Sequence, residues 1–460
     1  MPLRRFPNKP VFFALGAVAC FHLAFAGLGL NFFIFGYLYC LLCLAETESA
    51  GLLLVAGFAT AELIFAPQLS FFWGIFGKLA IVLWFIASAW LVAFLMLARA
   101  CWRRWGRVGL ACAAPFLWTG LEFFRGELYY LRFTWLSAGY AFSDSAQLPL
   151  LAGLGVYGIG FFLVAVAAVL LVLPLKPRLA AGVAMFALLM IPWPHPSVAA
   201  EGKILRMAGV QLEGAPTRII LQSLNALTTS HPGADLLVLS EYTFFGPVPD
   251  EIKDWCREHK KFLIIGGTDP VSGHDYFDTA FVVGPAGDIV FKQAKSVPVQ
   301  FFGDGLSAKE QRVWDSPWGK IGIGICYDAS YRIVVDELIR QGAQLLIFPT
   351  MDVESWGGQE HRLNGLVGPV RAAEYQVPLF RLASSGISEA INPDGSVQAR
   401  AGFPGRGDFI TAEFQLPARG RLPLDHWLAP ICSILVGGIL AWIVVADLAA
   451  KFRRKANGAN

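Results

Sequence analysis

The sequence predicts a helical membrane bundle of eight spans carrying a polar α/β domain, and three observations lead there. Of 460 residues, 55% are hydrophobic and only 15% charged, against roughly 45–50% and about 25% in an average soluble chain. The polarity is also unevenly placed, because residues 1–195 and 427–449 are charge-poor while 200–426 hold most of the Asp, Glu, Lys and Arg. Finally, the polar stretch alternates short apolar runs with amphipathic ones, the pattern of strands and helices in turn. Two environments in one chain are implied.

About 20 apolar residues suffice to cross the hydrocarbon of a bilayer. Seven such stretches precede the polar region, at about 11–28, 29–45, 51–68, 75–98, 108–124, 148–174 and 178–194, and an eighth follows at about 427–449. Basic residues gather on the cytoplasmic side of membrane proteins. Arg4, Arg5 and Lys9 precede the first span, Arg99, Arg103, Arg104 and Arg107 separate the fourth from the fifth, and Lys176 and Arg178 separate the sixth from the seventh. Lys451, Arg453, Arg454 and Lys455 follow the eighth. All four clusters share one side only if the count is eight, which puts both termini in the cytoplasm. The chain therefore divides into a bundle at 1–196, an exported domain at 197–426, and a last span with a basic tail at 427–460. Met1 to Lys9 and the apolar run behind them resemble a cleavable signal, but with further spans downstream they read as the first anchor.

Within the exported region, strand patterns fall at 204–211, 235–239, 262–267, 276–284, 288–294, 319–325, 344–348, 379–383 and 388–392. Helical patterns fall at 217–230, 249–260, 330–341 and 359–376. This alternation predicts an α/β sandwich with mostly buried sheets. Six of the eight cysteines lie in or beside apolar runs; Cys256 and Cys326 alone belong to the polar region, where they could pair once. That is no disulfide framework. A net charge of +3 without a basic stripe excludes a nucleic-acid partner, and the absence of heptads points to a monomer.

Three apolar runs of the polar region end in a reactive side chain. Leu236-Leu237-Val238-Leu239-Ser240 leads to Glu241; Ile289 to Ala294 leads to Lys295 and Ser296-Val297-Pro298; Gly319-Lys320-Ile321-Gly322-Ile323-Gly324-Ile325 leads to Cys326, Tyr327 and Asp328. Strand ends in α/β folds open into the crevice where sites are assembled. A cysteine has an ordinary pKa near 8.5, so a carboxylate base and a neighbouring cation suit it as a nucleophile. In that arrangement Glu241 takes the thiol proton, Lys295 stabilises the oxyanion, and backbone N–H groups after Cys326 supply a further donor. Lys292, three residues earlier, competes with Lys295, but its alternation along the strand turns it outward. Taken alone, Cys326 reads first as a buried strand-end thiol chosen for size, and Glu241 has the rival reading of a helix-start or loop carboxylate on the surface.

The order Glu, Lys, Cys with Gly324-Ile325-Cys326-Tyr327-Asp328 resembles the nitrilase (carbon–nitrogen hydrolase) superfamily. Pro115-Phe116-Leu117-Trp118, Glu122, Arg125-Gly126, Phe133-Thr134-Trp135, Gly139-Tyr140 and Gly155-Val156-Tyr157-Gly158 are similar to the membrane-integral branch, the apolipoprotein N-acyltransferases. The likeness runs on through Asp352, Trp356, His361, Arg371-Ala372-Ala373-Glu374, Arg381, Ser384-Ser385-Gly386 and Asp394-Gly395. It implies a four-layer α-β-β-α sandwich, catalysis by Glu241, Lys295 and Cys326, and no metal or cofactor. It further implies that a membrane phospholipid donates an acyl chain through a Cys thioester to the α-amine of a diacylglyceryl lipoprotein at a bacterial inner membrane.

The sequence departs from the family after Lys295. There Val299-Gln300-Phe301-Phe302-Gly303-Asp304 stands where the family has Val-Pro-Phe-Gly-Glu, so the accessory acid is absent or replaced by Asp304. Asp328 replaces a glutamate, and no tryptophan follows Gln211 closely. Tyr327, Asp328 and Asp304 are expected around the triad. Trp135 reads either as an interfacial aromatic or as the lining of a lipid path, and Glu122 with Arg125 as a helix pair or as substrate contacts. His361 and Arg371 read as structural residues or as contacts to a lipid head group. A membrane-tethered amidase using the same triad is the alternative function.

Overall fold

A computed structural model describes residues 9–144, 149–190, 200–402, 405 and 407–457. Two compact units emerge: Met1–Leu150, Leu154–Pro192 and Leu424–Asn460 in one, Leu151–Gly153 and Trp193–Pro423 in the other. Arg4 and Arg5, the boundary at 196/197, the start of the span expected at 148–174 and the end of that at 178–194 lie outside the described residues.

The first unit is helical. Four of its described helices are long and apolar enough to cross a membrane, Ala50–Gln68, Leu79–Leu128, Leu150–Val172 and Asp425–Ala446, and Lys9–Ala24 and Phe33–Ala45 are shorter apolar helices. The stretch from Leu79 to Leu128 takes in the two spans expected at 75–98 and 108–124, with helix where a basic loop was expected between them. Its 50 residues would run about 75 Å as one straight helix, far beyond a hydrocarbon core of about 30 Å. Gly106, at φ 69° and ψ −168°, breaks it in two. The last helix crosses the bundle closely at Gly120, where a Cβ would meet the Cys432 carbonyl oxygen at 2.5 Å and Ser433 Oγ donates to the Gly120 carbonyl at 2.8 Å. A small residue at such a crossing lets two backbones approach.

The second unit holds two six-stranded sheets. The first contains β1 (Ala200–Val210), β2 (Leu236–Val238), β3 (Phe262–Ser272), β4 (Asp275–Val283) and β5 (Ile289–Ala294). The second contains β6 (Val313–Ser316), β7 (Gly319–Ile323), β8 (Leu345–Thr350), β9 (Leu379–Ala383), β10 (Glu389–Ile391) and β11 (Val397–Arg400), and β12 (Phe409–Pro417) returns to edge the first. The orders are β12-β1-β2-β3-β4-β5 and β11-β10-β9-β8-β7-β6. Parallel pairing links β1 to β2 and β2 to β3, and likewise β7 to β8 and β8 to β9.

Alternation decides what each face buries, since successive strand side chains point opposite ways. Leu236, Val238, Ile264, Ala280 and Val282 of the first sheet pack with Ile321, Ile323, Ile347, Phe380 and Leu382 of the second. Their odd neighbours Leu237, Leu263, Ile265, Phe281 and Val283 pack outward with Ile220, Leu224, Ile252 and Trp255 from helices Thr217–Ser230 and Asp250–His259. Helices Arg332–Arg340 and Val367–Tyr375 cover the second sheet. The layers run α-β-β-α, as expected. Sequence reading missed β6, β11 and β12, and the helix expected at 359–376 is divided at Leu366 into Gly358–Gly365 and Val367–Tyr375.

Candidate active site

Glu241, Lys295 and Cys326 follow β2, β5 and β7 respectively. At the first of these strand ends the chain turns through Tyr242 at φ 47°, and β3 lies so close that a Cβ on Gly266 would stand 2.5 Å from the Glu241 Cα. Only glycine fits there. At the third, Cys326 itself takes φ 48° and opens a short 3-10 turn, Cys326–Ser330.

Lys295 is buried, and its Nζ donates to Glu241 Oε1 at 2.7 Å. The same ammonium lies 2.8 Å from Asp304 Oδ2 and 3.5 Å from Asp278 Oδ2. Lys292 instead points outward, half exposed, and pairs with Asp269, as the alternation of β5 predicted. Glu241 and Cys326 meet across one residue: the Met351 N–H donates to Glu241 Oε2, and the Met351 carbonyl lies 3.9 Å from Cys326 Sγ. Cys256 and Cys326 are both free thiols, Cys256 buried in its helix and Cys326 partly exposed.

Burial pushes the Cys326 thiol well above its ordinary value, and the negative charge of Glu241 adds to it more than Lys295 relieves. The resting sulfur is therefore protonated, and a base must remove its proton during attack. Burial opposes the charge on Lys295, but the surrounding groups, Glu241 and then Asp304 foremost, together more than offset it and raise the ammonium well above its usual range. The cation is secure. Glu241, Asp278 and Asp304 each offer an oxygen within 4.8 Å of the others, a spacing that could grip a metal ion. All three lie against the ammonium of Lys295, which fills the place of a cation.

Asp328 ties the lysine loop to the cysteine turn. Its carboxyl accepts from the backbone N–H groups of Ser296 at 3.1 Å, Val297 at 2.8 Å and Ile325 at 3.1 Å. Burial nevertheless pushes its pKa up to about 6. Because the Asp328 N–H donates to the Ile325 carbonyl, this residue positions the turn and offers no oxyanion donor. Tyr327 sets its ring edge-on against Tyr331, centroids 4.9 Å apart. Gln311 adds a second tie, accepting from Ser296 Oγ at 2.6 Å and donating to the Ile323 carbonyl at 2.9 Å. Asp304 joins the centre fully, accepting from Tyr242 Oη at 3.0 Å and Val299 N at 2.7 Å.

Other expected residues hold the frame. Arg371 is fully buried and clasps the cysteine turn, donating from Nε to the Ala329 carbonyl at 2.8 Å and from its second terminal nitrogen to the Ser330 carbonyl at 2.7 Å. Its remaining nitrogen pairs with Glu374. His361, also buried, donates from Nε2 to the Val353 carbonyl at 2.9 Å, beside Asp352, which accepts from Asn364 at 2.8 Å and pairs with Arg381. Trp135, Glu122 and Arg125 belong to the helical unit. The ring of Trp135 is buried 5.3 Å from that of Phe133, Glu122 Oε1 accepts from Ala138 N at 2.9 Å, and Arg125 approaches Ser137 Oγ at 3.5 Å. Glu122 and Arg125 line a cavity with Tyr37, Phe94 and Trp118.

Two family models match the chain in succession: the apolipoprotein N-acyltransferase N-terminal domain over residues 17–169, and the carbon-nitrogen hydrolase domain over residues 219–423. The chain belongs to the apolipoprotein N-acyltransferase family. One apolipoprotein N-acyltransferase, from Pseudomonas putida, is 27% identical over 435 residues, 81% of this chain and 83% of that one. Another, from Geobacter metallireducens, is 26% identical over 348 residues, covering 63% of this chain and 66% of its relative. The match to a third, from Bdellovibrio bacteriovorus, spans 51% of that relative's length. An omega-amidase of Xenopus laevis is 28% identical over 170 residues, 32% of this chain and 60% of that one. Among solved structures, Saccharomyces cerevisiae Nit3, of the nitrilase superfamily, aligns with a TM-score of 0.40 at 21% identity, over 46% of this chain and 90% of that one.

In this apolipoprotein N-acyltransferase relative, sequence reasoning missed Asp278. The signal was present. Asp278 has the parity of Ala280 and Val282, which face the apolar space between the sheets, and an acid on such a face requires a reason.

Proposed function

We propose that this chain moves an acyl chain from a membrane phospholipid, through a thioester on Cys326, to the α-amine of a lipoprotein's diacylglyceryl-cysteine. The observation that carries the reading is the buried Lys295–Glu241 pair at 2.7 Å, joined to the Cys326 turn through Met351. Glu241 receives the thiol proton as sulfur attacks the ester carbonyl, Lys295 faces the developing oxyanion, and the lysophospholipid alkoxide leaves with the proton returned by Glu241. The amine then attacks the thioester by the same groups in reverse. Positioned acid–base transfer contributes roughly 10²–10⁴-fold, and one oxyanion donor about 3–4 kcal/mol.

Two bilayer-anchored substrates explain a catalytic domain built between apolar helices. We infer eight spans, with the halves on either side of Gly106 counting separately, cytoplasmic termini, a catalytic domain at 197–426 on the outer face of a bacterial inner membrane, and a monomer. The omega-amidase relative supports one rival, in which water resolves the thioester. Purified protein incubated with acyl-labelled phospholipid is expected to yield a hydroxylamine-labile adduct on Cys326. Added diacylglyceryl peptide is expected to take up the label; release as free fatty acid instead would establish the hydrolase, and no adduct would end both readings.

A further inference from the structure

Three carboxylates crowd one ammonium at this site, and their hydrogen bonds are unequal. Glu241 accepts from Lys295 Nζ and from Met351 N. Asp304 accepts from Tyr242 Oη and Val299 N and lies 2.8 Å from the same Nζ. Asp278 is fully buried, and among the described residues no donor reaches either of its carboxyl oxygens: it lies against the Glu241 carboxylate, and its ion pair with Nζ is the longer one at 3.5 Å. Its position is fixed by the sheet, since the Lys295 N–H donates to the Asp278 carbonyl at 2.8 Å. If all four groups were charged, the cluster would carry two net negative charges out of reach of water. A buried anion with no donor is the least stable of the three.

We propose that Asp278 holds a proton in the resting site and serves as a positioning residue, whose neutrality leaves Glu241 ionised as the base for the Cys326 thiol. The inference rests on reading Cys326 as the nucleophile and Glu241 as its base. In the step itself the S–H bond breaks, the proton passes to Glu241, and the sulfur electron pair forms the new bond to carbon; Asp278 neither gains nor loses a proton. Burial first, then the charge of Glu241, hold the Asp278 carboxyl well above the usual range. The charged and titratable groups facing it are Glu241, Tyr242, Lys295 and Asp304. When Asp278 does ionise at high pH, its new charge opposes a thiolate at Cys326, so thiol reactivity should rise with pH, bend, and lag behind.

Alkylation of the full-length protein by iodoacetamide, followed on the Cys326 peptide by mass spectrometry across pH, tests this without any acyl chemistry. Asp278→Asn is permanently neutral. It should match the wild type within about threefold near neutral pH, lose the bend, and exceed the wild type by about tenfold at high pH, the equivalent of one pKa unit. Asp304→Asn removes a neighbouring negative charge, which lets Asp278 ionise sooner and moves the bend to lower pH. It keeps the idea testable should Asp278→Asn not fold. A bend unmoved in both variants, or an Asp278→Asn curve offset equally at every pH, would overturn the proposal. Because alkylation needs no lipid, a shifted bend without any phospholipid adduct would retire the acyltransferase reading and leave this one standing.

Discussion

Two buried ionic clusters lie in the same domain, and they are built on different terms. Around Arg371, one guanidinium meets one carboxylate, Glu374, and its other nitrogens reach backbone carbonyls at Ala329 and Ser330. Around Lys295, one ammonium meets three carboxylates, and one of these has no hydrogen-bond donor. In the first cluster a carboxylate faces the cation and backbone carbonyls take up its donors, which is what a structural clasp requires. The second leaves charge unbalanced in a buried pocket, where proton affinities are displaced, and such displacement marks chemistry. Arg371 and Lys295 are both buried; the three acids crowding Lys295 separate them.

The sharpest break between the clusters is expected from Cys326→Ala, which should abolish the hydroxylamine-labile adduct while leaving the thermal midpoint in detergent nearly unchanged. Full activity in that variant would remove the chemical role assigned to the unbalanced cluster. Next, Glu241→Gln and Lys295→Met should slow adduct formation by roughly 10²–10⁴-fold, measured by single-turnover labelling. Arg371→Met should act in the opposite column. It breaks the buried pair with Glu374 and should destabilise the fold by about 3–5 kcal/mol, and the double variant Arg371→Met/Glu374→Leu should recover most of that loss. If Arg371→Met instead lowered the single-turnover rate without moving the unfolding midpoint, the division between clasp and catalyst would fail.

A gentler test uses Asp328, held at about 6 in the folded protein against about 3.9 in an unfolded chain. The folded state binds this proton more tightly, so the contribution is complete below the unfolded value and is lost as pH rises through 4 to 6. Full loss amounts to about 3 kcal/mol by linkage. Asp328→Asn should flatten that part of the pH–stability curve, and an unchanged slope would count against the assignment. The smallest effect belongs to Lys292→Ala, whose half-exposed pair with Asp269 should contribute less than about 1 kcal/mol.

Much of this was legible in the sequence because catalytic side chains at strand ends follow long apolar runs, as Glu241, Lys295 and Cys326 do. The choice of Lys295 over Lys292 followed from its place beside the Val297-Pro298 step and from strand parity, which turns Lys292 outward. Asp278 escaped notice because it ends no run; it sits inside β4, flanked by Phe277 and Thr279, and its meaning depends on which face meets the second sheet. The strands β6, β11 and β12 were also missed. Val313–Ser316 and Val397–Arg400 are four residues each, too short for periodicity to register, whereas the alternation of Phe409–Pro417 was a strand signal that went unread. The two spans expected on either side of the basic cluster correspond to the two helices that meet at Gly106; only the loop between them was misplaced, because Arg103, Arg104 and Arg107 are compatible with helix.

The left-handed backbone of Cys326 has one more consequence. A residue with a Cβ gives up about 1–3 kcal/mol to hold that shape, whereas glycine adopts it freely. Replacing the nucleophile by glycine would therefore yield a chemically silent protein that outlasts its working parent on heating, a sign that this molecule keeps its reactive atom poised at the expense of its own endurance.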